Sequence, residues 1–118
     1  MAKKDLEIIL ITSDNTIKSN INGIVLDNTI KYNDDGVMVV LEILENNIKM
    51  TRTTDEYQLV LNFSEYQHKV GSYLLKENNM KMDISIYTEE LKIDDNMIKI
   101  VYTFNDEKYN FSLLIKEW

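Results

Sequence analysis

Residues 37–53, VMVVLEILENNIKMTRT, decide the fold. Val37, Val39, Leu41 and Ile43 occupy alternate positions, residues 45–47 are turn formers, and Ile48, Met50 and Arg52 resume the alternation against Lys49, Thr51 and Thr53. Successive side chains of a strand project to opposite faces, so this stretch describes two strands joined by a tight turn, each with one apolar face.

The same period of two extends in both directions. Upstream, Ile17, Ile21 and Val25 share one parity around Ser19 and Gly23, and residues 8–11 form a short apolar run. Downstream come Tyr57, Leu59, Leu61 and Phe63; then Met80, Met82, Ile84 and Ile86; then Ile98, Ile100, Tyr102 and Phe104; then Tyr109, Phe111, Leu113 and Ile115. Residues of the opposite parity are largely Lys, Asp, Asn, Ser and Thr. Turn formers separate the segments at 14–15, 27–28, 33–36, 45–47, 54–56, 77–79, 94–96 and 105–107. Asn and Asp tolerate the positive φ that tight hairpins demand. Regular spacing of this kind predicts an antiparallel meander of eight to ten strands, and the lack of any helical stripe argues against βαβ units. Residues 64–70 break the alternation and are expected to form a loop or a short helical turn. An open sheet of this many strands would expose two edges. Closure into a barrel removes both, and the absence of proline, a common edge blocker, favours closure over a two-sheet sandwich.

At 118 residues the chain is sized for one domain, taken as 1–118. Its 20 acidic and 13 basic residues leave a net charge of -7, which repels phosphate backbones and anionic headgroups, so neither nucleic acid nor a membrane surface is an expected partner. No apolar run reaches the length of a membrane helix, and no leader is evident. Without cysteine there are no disulfides, thiolate metal ligands or thiol nucleophiles, in keeping with a cytoplasmic address.

From about Gly23 onward the order of features resembles the YwiB-like family, small bacterial proteins of unassigned function. The residues that carry the likeness are Tyr32 with Asp35-Gly36 before a strand ending in Leu41-Glu42-Ile43; residues 48–52, a strand with a late Arg; residues 71–77 followed by 80–88; and a closing hairpin of 98–102 with 110–116. Asn78-Asn79 stands where the family often carries Gly, and the loops here are shorter. Asn is the next best residue in the left-handed region. The resemblance implies a calycin-like or lipocalin-like β-barrel and supplies no activity.

Arg52 is the most informative candidate. It shares the parity of Ile48 and Met50 and so points inward. There it either forks onto a carboxylate or phosphate of a ligand, or pairs with an internal Glu or Asp, or stacks over an aromatic ring, as an arginine does in calycins. His68 is the only histidine, which excludes a histidine metal triad; it is expected to be a solvated loop residue, the alternative being a general base beside Glu65. The acidic turns at 33–36 and 94–96 lack calcium-loop spacing, and Glu89 and Glu90 are expected on opposite faces of a strand, as surface charges. Tyr87 is expected to face outward. The many methionines fill cores or line adaptable sites.

These observations lead to a non-catalytic barrel that binds a small, partly apolar ligand of anionic character, with Arg52, Met50, Met82, Tyr73 and Tyr102 near it. The alternative is a barrel filled by its own side chains that acts through its outer surface as a protein-interaction module. An enzyme is disfavoured because no nucleophile and base pair can be named, and no cofactor or metal is expected. A cavity of a few hundred cubic ångströms favours binding, whereas a packed interior favours the alternative.

Overall fold

The computed structural model describes residues 2–116 and is an antiparallel barrel of ten strands, closed in the order β1-β10-β9-β8-β7-β6-β5-β4-β3-β2. The strands are β1 (Ala2–Ile11), β2 (Thr16–Leu26), β3 (Thr29–Asp34), β4 (Val37–Leu44), β5 (Asn47–Thr53), β6 (Tyr57–Ser64), β7 (His68–Leu75), β8 (Met80–Ile93), β9 (Met97–Phe104) and β10 (Glu107–Lys116). Every strand pairs with its neighbours in sequence, and the first pairs with the last from Asp5↔Lys116 to Ile11↔Asn110. Closure leaves neither edge of the meander unpaired, which answers the choice between barrel and sandwich.

The turn chemistry is that of the sequence. Asp35 and Gly36 both take positive φ, 52° and 88°, as do Asn105 and Asp106 at 52° and 63°. Two successive positive φ values match the right-handed twist of the strands that such a turn joins. Asn79 sits at φ 54°, and the Asn78 side chain accepts a hydrogen bond from the Met80 amide at 3.1 Å, so asparagine here performs the left-handed turn that glycine performs elsewhere.

Residues 64–70 meet the expectation of a loop only at 65–67. Ser64 ends β6 and His68 already begins β7; the connection is three residues long and contains no helical turn. Tyr66 takes φ 62°, its amide donates to the Thr88 carbonyl at 2.8 Å, and the Thr88 amide donates to the Gln67 carbonyl at 3.1 Å. The turn is thus bonded to β8, two strands along from β6. That contact depends on the β6–β7 ladder, which runs only from Tyr57↔Leu75 to Val60↔Ser72 and then parts. At the parting Gly71 lies directly on Val60: a Cβ at position 71 would sit 1.9 Å from the Val60 carbonyl oxygen. Only glycine fits this crossing.

A register shift between Thr88 and Glu90 makes a bulge in β8. It turns Glu89 and Glu90 to the same, outer side, where Glu89 meets Lys108 at 3.0 Å and Glu90 meets Lys92 and Lys99 at 3.1 and 3.5 Å. The expectation that the two face opposite ways fails because a bulge inserts one residue and resets the alternation.

The interior divides along the barrel axis. At the end that carries the β2–β3, β4–β5 and β8–β9 turns, Leu6, Ile30, Leu41, Ile48, Phe63, Ile98 and Leu113 form a packed core, each nearly or wholly sealed from solvent. The opposite half, toward the β1–β2, β3–β4, β5–β6 and β9–β10 turns, is hollow.

Candidate functional site

The hollow half is a cavity of about 350 Å3 walled by sixteen residues, two from each of eight strands. Alternation spaces the two inward residues of each of these strands two positions apart, while β4 and β7 contribute none to the wall. The inner tier is Ile8, Ser19, Tyr32 and Met50 on one side, with Leu61, Ile86, Tyr102 and Phe111 on the other. One inward position nearer the mouth lie Leu10, Ile17, Asp34 and Arg52, facing Leu59, Ile84, Phe104 and Tyr109. The wall is mostly apolar, and its polar groups are few: one guanidinium, one carboxylate, one serine and three phenols.

Arg52 is rooted between Val39 on β4 and Leu59 on β6, its direct cross-strand partners, and Val39 is wholly buried. Its side chain forms no ion pair and no hydrogen bond among the described residues. Asp34 shares the cavity wall with it and is not joined to it. The internal salt bridge that would explain a half-buried charge is therefore absent among these residues.

Two tyrosines lie within the electrostatic reach of that charge. Tyr32 is 3 % exposed, and burial pushes its hydroxyl well above the ordinary tyrosine range; the nearby Arg52 charge opposes the shift and Asp34 adds to it. Tyr102 is pushed up to about 12, first by burial and then by Tyr109, again against Arg52. Neither hydroxyl has a protein hydrogen-bond partner among the described residues. Both phenols stay protonated at neutral pH, so each hydroxyl is available as a hydrogen-bond donor toward the cavity and not as a base. The Tyr102 ring is held between Tyr109, stacked at 5.1 Å, and Phe63, tilted at 5.0 Å.

Of the residues singled out from sequence, Arg52, Met50 and Tyr102 stand on the cavity wall and Met82 and Tyr73 do not. Met82 has the inward parity, but β8 pairs with β9 only from Tyr87 onward, so the β7–β8 hairpin runs past the rim and Met82 is 49 % exposed with no wall opposite. Tyr73 pairs with the wall residue Leu59 on one side and Met82 on the other, and its ring stacks on Tyr57 at 5.6 Å instead of lining the cavity. Tyr32 and Asp34 were missed, although they share the parity of Ile30 and the alternation there would have found them. His68 is exposed on β7 against the ring of Tyr87, which faces outward as expected. Glu65 is occupied elsewhere, accepting the Leu91 amide at 3.2 Å, and so does not orient His68.

Fold and site together define an up-and-down β-barrel packed at one end and open to a polar-edged cavity at the other. Among solved structures the chain is similar to the ywiB protein from Bacillus subtilis, with a TM-score of 0.67 and 11% sequence identity over 98% of this chain and 90% of that one. At this identity the likeness is one of fold. No family model and no curated protein matches the sequence.

Proposed function

We propose that this protein is a binding barrel that holds one small, partly apolar, anionic ligand in the cavity of its open half. The observation that carries the proposal is Arg52: a permanent charge, half-buried in an apolar wall, with no protein counter-ion among the described residues. Desolvating a guanidinium without a partner is costly, and an anionic guest offsets that cost. A cavity of about 350 Å3 falls within the range of small-molecule sites. The same volume works against the alternative of a filled barrel acting through its exterior. No step of chemistry on the ligand is part of the proposal. The hairpin order shared with YwiB-like proteins supports grouping the chain with those calycin-like barrels, and the lack of cysteine suits a cytoplasmic setting.

Native mass spectrometry of the full chain titrated with size-matched anionic, neutral and cationic amphiphiles tests this. One saturable equivalent of the anion is expected, with weaker neutral and cationic adducts. Equal or unsaturable adducts from all three would overturn it.

A further inference from the structure

The wall of the cavity also describes the body of its guest. Five of the sixteen wall residues are aromatic, in a chain where aromatics make up 9% of residues. Four of the five, Tyr102, Phe104, Tyr109 and Phe111, belong to the adjacent strands β9 and β10. In the closed order β10 lies five strands from β5 in either direction, so this aromatic wall stands across the barrel from Met50 and Arg52. Tyr102 is packed between Tyr109 and Phe63, which holds its ring in this wall. A guest lying across the cavity therefore meets aromatic rings at one side and a guanidinium at the other.

The charge is equally restricted. One guanidinium presents a planar fork that matches the two oxygens of a carboxylate, and the hydroxyls of Tyr32 and Tyr102 are further donors without protein partners among the described residues. Asp34 on the same wall opposes a second negative charge, which disfavours a phosphate dianion. At the packing density of protein interiors, about 0.74, a 350 Å3 cavity holds about 260 Å3 of ligand atoms, room for a fused pair of aromatic rings with its acid group.

We propose that the cavity takes an aromatic monocarboxylate, its ring against the β9–β10 wall and its carboxylate on Arg52. This rests on the binding function proposed above and narrows it to one ligand class. Quadrupolar ring contacts add selectivity for a planar aryl body over an alkyl chain, and the ion pair adds selectivity for the acid over its alcohol.

The test is calorimetric titration of the full chain with 2-naphthoate, decanoate and 2-naphthylmethanol. Naphthoate should bind about tenfold or more tighter than either of the others, a margin in line with aromatic-pair and charge-assisted contacts. Phe104→Leu, at the half-buried rim, and Phe111→Leu, deeper in the wall, should each weaken naphthoate by about fivefold and leave decanoate nearly unchanged, with thermal melts verifying that both variants fold. Decanoate binding as tightly as naphthoate, or equal losses for both in the variants, would overturn the aryl assignment and leave anion binding standing. Naphthylmethanol matching naphthoate would overturn the carboxylate assignment. Failure of both carboxylates to bind would overturn this inference together with the function on which it rests.

Discussion

At position 52 a guanidinium grows from a backbone flanked by Val39 and Leu59, and it forms no ion pair within the described protein. Replacing it with methionine keeps an unbranched stem and removes the charge. Because no carboxylate is left stranded, Arg52→Met should leave stability unchanged or raise it, while anion binding weakens; had an internal ion pair existed, the loss would be about 3 to 5 kcal/mol. Denaturant melts of the two proteins measure the difference. The tyrosines beside it give a second residue-scale test. The folded chain favours the neutral phenols, so above about pH 10 the unfolded chain sheds protons that the folded chain keeps, and stability falls as pH rises toward the folded values. Each of Tyr32 and Tyr102 should contribute about 1 kcal/mol of lost stability per pH unit in that window. Tyr32→Phe should change little at pH 7, where its hydroxyl has no protein partner, and should shallow the alkaline slope; an unaltered slope would remove Tyr32 as its source. Sequence parity located Arg52 and Tyr102 on the wall, since alternation depends only on local geometry. It could not show that Asp34, eighteen positions before Arg52, shares the cavity without joining that charge, because distance across a barrel is set by strand tilt and packing.

Among the elements, β7 and β8 depart most from regular hairpins, and the departures are connected. β6 and β7 part below Val60, the freed turn after β6 bonds to β8 at Thr88, and β8 bulges immediately beyond. Gly71 permits the crossing. Gly71→Ala would drive a Cβ onto the Val60 carbonyl, and backbone atoms cannot yield as a flexible side chain can. The expected cost is about 2 to 3 kcal/mol, the upper part of the range for overpacking, measured by denaturant unfolding. A loss under about 0.5 kcal/mol, ordinary for an exposed site, would mean that the two strands are not held together there. This region is also where the sequence was least legible. The turn positions from residue 14 to 107 could be read because Asn, Asp and Gly announce them chemically. Neither the bulge nor the overhang that carries Met82 away from the cavity has such a signal: parity says which face a side chain takes, and not whether a facing wall exists.

For the molecule as a whole, closure sets how the halves divide the work. Strand β1 meets β10 through the ladder, and outside it Glu7 holds Lys116 at 3.0 Å and Lys18 at 3.8 Å, bridging β10 and β2; the Lys116 contact keeps the Glu7 carboxyl below its usual range. Within the closed wall the packed half supplies rigidity and the hollow half supplies room. Truncation should therefore have unequal costs. Leu41 is fully buried in the packed core, so Leu41→Ala loses transfer free energy and opens a void that rigid neighbours cannot fill, a cost of about 3 to 4 kcal/mol. Leu59 already borders the cavity, has fewer contacts to lose and creates no new enclosed void, so Leu59→Ala should cost about 1 to 2 kcal/mol. Parallel urea unfolding of both variants measures the ratio. Equal losses would indicate that side chains fill the open half in solution, which would remove the room on which ligand binding depends. With an anionic guest present at saturation the wild-type midpoint should rise, because a ligand bound only to the folded state adds stability by mass action, and Leu59→Ala should lose part of that rise while Leu41→Ala keeps it.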